Sequence, residues 1–490
     1  MRGGAWLSSW TICFAVGVVF LTTCAQQVYA FRMEGYLRSH LYLRQERLRD
    51  PDEEYYLPIR QYMTLHLSEF SQPGWSFHSS GWVRQDLTND ESDYAFHRAD
   101  DSFESELLTG YLEYRDPNRF ENYARFGRQY VFWGGIYERF DGATISRELP
   151  GGHGWALFGG IPAISDYDNS RTRNRVGGAR VWFRPVLGSE LGFTYVRKTE
   201  AGDLDREVWS QDFFWRPCHW LEISEHASYD DITDTVVDWA VYAALKPHHT
   251  MKLSFSYDES IPGALLPATS ILSVFSNDKI QEFAVGLDWY PDPNWSAWAE
   301  VVNYNTESPG GKFPEHRVDG RSYWEYRLGT RYYYADDAHM SLELRHVDPP
   351  ERGIPFVEGS DEYESIDNGF DRLRFTNHCW LNEMCWTSFD VGATHYRDGV
   401  NGSRQSFDVS TTLGFRPSSR LEASATLRYV DSAVDNTEFQ GLFTVTYWFD
   451  RRIKNGVTQD LLLERDQRDS RWRPHTTLPV ERKYSGNRIE

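Results

Sequence analysis

The sequence predicts an all-β protein, a closed antiparallel β-barrel that crosses a membrane. Three observations carry this. Apolar and polar residues alternate with period two in segment after segment. Aromatic residues make up 16% of a chain that is otherwise hydrophilic, and Trp and Tyr favour surfaces that are apolar at one end and wet at the other. After residue 30 no apolar run approaches the ~20 residues that a spanning helix needs.

The first thirty residues read as an export signal: Arg2, an apolar stretch from Trp10 to Leu21, then small and polar residues ending at Ala30, with cleavage after Ala30 or Ala25. Two alternatives stay open, acylation at Cys24 and an uncleaved anchor. Cleavage leaves Cys218, Cys379 and Cys385, too few for a disulfide scaffold. The formal charge of -21 argues against a nucleic-acid partner.

The stretch 31–44, "FRMEGYLRSHLYLR", sets the pattern. Phe31, Met33, Leu37, Leu41 and Leu43 share one face, expected to meet lipid; Arg32, Glu34, Arg38, His40 and Arg44 share the other, expected to line the interior. Met251–Tyr257, Phe283–Trp289, Phe407–Phe415, Leu421–Tyr429 and Phe439–Phe449 alternate likewise. The segments exceed the five or six residues usual in soluble strands and match the roughly 9 to 11 of a tilted transmembrane strand.

Ten short connections rich in Pro, Gly, Asp and Asn, such as "SQPG" (71–74), "PDPN" (291–294) and "LNEM" (381–384), alternate with eleven longer loops. These loops include acidic segments at 88–106 and 349–367. Twenty-two strands follow, within a range of 18–22 because 131–165 is poorly periodic. An even number places both ends of the barrel in the periplasm and the long connections outside. Closure also removes the exposed edges that so many strands would otherwise present.

The last alternating strand ends "FTVTYWF". Val445, Tyr447 and Phe449 resemble the assembly signal that outer-membrane insertion machinery recognises, although residues follow it here. The boundaries expected are a signal peptide at 1–30, a barrel at 31–450 and a polar periplasmic tail at 451–490, with a short helix around Leu461–Trp472. Cys379 and Cys385 flank a predicted turn in an oxidising compartment, which makes them a disulfide candidate.

No catalytic or cofactor fingerprint is present: no "HExxH", "GxSxG", "GxxxxGK" or "CxxCH". His248 and His249 read as turn residues, and the acidic run 358–371 does not match an ordered calcium loop. No enzyme, cofactor or metal site is therefore expected.

The stretch "ARFGRQYVFWGG" (124–135) followed by "RFDGATIS" (139–146) resembles a hairpin of alginate-export-type and related outer-membrane porins. The resemblance implies a porin and places Arg128 and Arg139 as lumen candidates. Glu325, Arg327, Arg331, Glu422 and Arg428 join the inward series as candidate pore-lining residues. They either set the field of a pore or stiffen its wall as salt-bridge ladders. The partners expected are outer-membrane lipids and the outer-membrane assembly machinery.

Two functions compete. One is an aqueous channel for ions or small polar solutes. The other resembles the barrel subunit of a porin-cytochrome conduit, with a multihaem cytochrome filling a lumen that about twenty-two strands leave wide. No plug segment precedes the first strand, so either the loops fold inward or a partner fills the hole.

Overall fold

Period-two alternation over long segments makes strands, and strands with one apolar and one charged face close into a single barrel. The computed structural model describes residues 30–46, 54–69, 73–87, 103–163, 174–261, 279–307, 321–335, 337–348, 369–400, 403–433, 437–454 and 457–462. The expected signal peptide, most of the two acidic segments and the tail beyond 462 lie outside the described residues. None of the described helices is long and apolar enough to cross a membrane.

Twenty-two strands of 9 to 17 residues run from Ala30–Glu46 to Glu438–Lys454, each antiparallel to its neighbours. Two short pieces, Glu54–Tyr56 and Val457–Asp460, pair only with the ends of the first and last of these. The first strand pairs with the last along its whole length, from Ala30 opposite Lys454 to Glu46 opposite Glu438, and this closes the sheet.

The two faces separate as the sequence requires. On Ala338–Val347, Met340, Leu342 and Leu344 are exposed, whereas Ser341, Glu343 and Arg345 on the other face are half-buried. Arg345 there binds Glu325 of the neighbouring strand, at 2.5 and 3.0 Å. Exposed Leu37, Phe193, Leu328, Leu373, Leu413 and Phe443 continue the apolar face around the wall.

Ten connections lie at one rim and eleven at the other, the parity expected. The second set is less uniform than its sequence suggests. Trp133–Ile136 and Glu200–Asp203 turn through two residues each, and the connection 231–234 has four. The last strand also runs past Asp450 to Lys454, and Val457–Asp460 folds back on it, so regular structure extends into the expected tail. Arg420 and Arg451 bind Asp460 at 2.5 and 3.8 Å and hold that return.

Cys379 and Cys385 are free, as is Cys218. The expected disulfide fails for a reason of register: Cys379 stands opposite Thr387 and Trp380 opposite Trp386, with residues 381–384 forming the turn. The two cysteines are not facing positions. Both are expected to alkylate fully without reductant, and detection of a Cys379–Cys385 peptide would contradict the register.

At the seam Phe449 stands opposite Gly35, and its ring covers the space a side chain would take. A Cβ on Gly35 would lie 2.9 Å from Phe449 Cζ and 2.0 Å from the Thr64 carbonyl oxygen. Gly35→Val is therefore expected to impair closure, and Phe449→Ala to weaken the seam through lost cover over the glycine. Loss of the compact, heat-sensitive gel band in unheated detergent samples would report both; an unchanged band for Gly35→Val would refute the packing argument.

Candidate functional site

The inward face is a network of charges. Arg32 binds Asp450 through two bonds of 2.8 and 2.7 Å and also reaches Glu34 at 2.8 Å. Glu34 in turn lies 2.7 Å from His66 Nδ1. Arg38 donates to Thr446 Oγ1 at 3.1 Å, and His40 meets Thr444 at 2.9 Å and the edge of the Tyr62 ring. The backbone of Arg44 pairs with Tyr56 and Gln440, and its side chain is not among those described.

Glu325 is buried between Arg327 and Arg345, and Arg327 also donates to Glu300 at 2.8 Å. Arg331 lies over the Trp298 ring at 5.8 Å. Glu422 sits 3.7 Å from Arg416. Arg428 is exposed on the same face as Glu422. The predicted residues do not converge on one point; they are spread along the inner wall.

The charges are unevenly spread around the circumference. Asp238, Asp258, Glu282 and Glu300 fall on consecutive strands between Thr235 and Glu307. Arg327, Arg345, Arg372, Arg374 and Arg428 fall between Arg321 and Asp431. Arg374 binds Asp390 at 2.6 Å and Arg372 binds Asp408 at 3.1 Å, so this arc is partly neutralised rather than purely basic.

The feature that sequence reasoning missed is where the Tyr123–Trp133 and Ile136–Glu148 hairpin goes. The strand Phe103–Arg115 pairs with Tyr123–Trp133 only as far as Gly110 opposite Arg128, although it continues to pair on its other edge to Phe103. Beyond Arg128 the hairpin leaves its preceding neighbour and folds inward over the inner face of the strands that follow it. Gly127, with φ +123°, sits at the departure, where a Cβ would meet the Gly110 carbonyl oxygen at 2.2 Å.

Gly134 and Gly135 form the tip, with φ +57° and +80°, the paired positive values of a tight two-residue hairpin turn. The tip presses onto strands far along the wall. A Cβ on Gly134 would lie 2.8 Å from Ser210 Oγ, and one on Gly135 2.9 Å from His226 Cδ2. The hydroxyls of Ser210 and Ser228 donate to the Gly134 carbonyl.

Apolar burial holds the hairpin there. Val131, Ile136 and Phe140 form one cluster with Phe158, Val176, Val196 and Val208 of the inner wall, and Trp133 packs against it. Phe140 is 0% and Ile136 2% exposed, and each such side chain is worth about 1.5–3 kcal/mol of transfer from water. At the base Arg128 grips Asp141 at 2.7 and 2.8 Å, and Arg139 binds Glu106 at 2.5 Å and the Ala163 carbonyl at 2.9 Å. The Arg128–Asp141 pair braces the hairpin's own two strands, whereas Arg139, and Arg128 through the Leu107 carbonyl at 2.9 Å, tie it to its neighbours. The free side presents Phe132, 71% exposed, and Tyr137, 55% exposed.

No family model matches the chain, and no curated protein matches it. The chain is similar to many solved structures, three of which follow. With OccK8 (OprE) of Pseudomonas aeruginosa it shares 9% identity over 85% of this chain and 98% of that one, with a TM-score of 0.41. With the outer membrane protein opdK of the same organism it shares 11% identity, covering 86% and 98%, at 0.41. With OccAB4 of Acinetobacter baumannii it shares 9%, covering 86% and 99%, at 0.42.

Truncating the hairpin's core contacts should release it without opening the barrel. The double substitution Val131→Ala, Ile136→Ala is expected to cost several kcal/mol locally, on the order of the 2–5 kcal/mol of a buried Ile→Ala change. Limited proteolysis should then cut near Trp133–Ile136 while the heat-sensitive gel band persists. Equal resistance in the parent and variant would argue against this anchorage.

Proposed function

We propose that the protein is an outer-membrane channel for ions and small polar solutes, with its own hairpin as the constriction. One observation carries this: a closed wall, apolar outside and charged within, holds a hairpin that folds inward and is buried against one side of the lumen. The export signal and the final strand with Val445, Tyr447 and Phe449 agree with delivery to that membrane by the assembly machinery. The short turns face the periplasm and the long connections the outside.

The uneven charges favour a field across the lumen, with carboxylates in excess on one arc and arginines on the other, in which solutes are sorted by charge as well as by size. The hairpin likened to that of alginate-export-type porins is the one that turns inward, so the likeness concerns the element that limits passage and does not name a solute. A multihaem cytochrome would compete with this hairpin for the lumen, which makes the conduit the weaker alternative.

The purified barrel is expected to conduct in a planar bilayer. Replacing residues 130–139 by a two-residue turn should raise the single-channel conductance, and Arg374→Gln with Arg428→Gln should shift selectivity toward cations, because positive potential is removed from the wall. Absence of conductance together with co-purifying haem absorbance would overturn the channel in favour of the conduit.

A further inference from the structure

Between the hairpin tip and the turn-side rim lies a cavity of about 700 Å³, within the ~300–1,000 Å³ usual for small-molecule sites. We propose that it is a saccharide subsite, taking an uncharged polyhydroxylated ring of mono- or disaccharide size; this rests on the channel reading above. The cavity combines the two chemistries that a sugar ring presents, apolar C–H faces and hydroxyl edges.

The faces come from aromatic side chains. Phe132 and Trp133 enter from the hairpin, and Trp182, Phe214 and Tyr242 from the inner wall. Phe132 keeps 71% of its surface exposed although its neighbour Val131 is 4% exposed in the apolar cluster, so the hairpin buries one side of this strand and leaves the other to the cavity. An exposed ring in an aqueous lumen does nothing for stability there and is suited to stacking on an apolar face.

The edges come from a network that already balances itself. Arg180 donates to Asp212 at 2.8 Å and to Glu190 at 3.3 Å. Arg184 donates to Glu190 and Glu148, both at 3.0 Å. His226 lies 2.9 Å from Asp238. Both guanidiniums are committed to carboxylates, so an anionic solute meets no uncommitted cation and several carboxylates that repel it. The carboxylate oxygens still have lone pairs for hydroxyl donors, and a hydroxyl both donates and accepts.

The test uses the full-length barrel folded in detergent. Titration with maltose is followed by tryptophan fluorescence, and single-channel current is recorded in parallel. A saturable fluorescence change is expected, with brief current blockades that become more frequent as maltose rises. Phe132→Ala, at an exposed position, should weaken maltose about tenfold. Glucuronate should bind more weakly than glucose. No saturable change, equal binding by Phe132→Ala, or equal binding of glucuronate would overturn the proposal. A normal fluorescence titration from a barrel that conducts no ions would support the subsite and refute the channel.

Discussion

A sheet can stand in hydrocarbon only if none of its strand edges is left to face it, since each unpaired N–H or carbonyl there costs several kcal/mol. In this chain that condition rests on the seam between Ala30–Glu46 and Glu438–Lys454, which are paired position by position. The seam joins residues some four hundred positions apart, so no local contact can substitute for it. Inside, Arg32 with Asp450 and Arg38 with Thr446 tie it by side chains. Outside, Phe449 lies over Gly35. The same register that closes the wall also decides which face of every strand looks inward.

Closure creates the next difficulty, a wide lumen, and the chain meets it with its own hairpin. The hairpin is held by apolar packing in a place that is otherwise polar. Phe158, Val176, Val196 and Val208 are out of keeping with a water-filled interior until Val131, Ile136 and Phe140 are set against them. The two-glycine tip is needed twice, for its backbone shape and because wall side chains approach it too closely for a Cβ. Arg128 and Arg139, expected in the lumen on a likeness alone, hold the base of this element through Asp141 and Glu106.

The remaining lumen is chemically uneven. Carboxylates prevail on the strands between Thr235 and Glu307, and arginines bound to rings, hydroxyls and some carboxylates prevail on those between Arg321 and Asp431. Beneath the hairpin tip the pattern changes again, to aromatic rings set beside arginines that are fully committed to acids. Ion pairs of this kind contribute little where water reaches them. Their arrangement matters more for what the interior admits than for how firmly the wall stands.

Much of the fold was legible because it follows from period and length. Alternation such as Met251–Tyr257 and Phe439–Phe449, with turns rich in Pro, Gly and Asp, specifies strands with two unlike faces, and their number specifies closure. The inward series Arg32, Glu34, Arg38 and His40 could be read for the same reason. What could not be read depends on contacts between distant strands. The poor periodicity at 131–165 only loosened the strand count; the hairpin's departure from the wall depends on Val196, Val208, Ser210 and His226, which only the closed barrel brings near. The cysteine pairing failed similarly, since a shift of register by a few residues moves Cys379 opposite Thr387. Periodicity is a property of each segment and is written in it, whereas register and cross-lumen packing are settled between segments, where one residue's partner is chosen by the geometry of the whole ring.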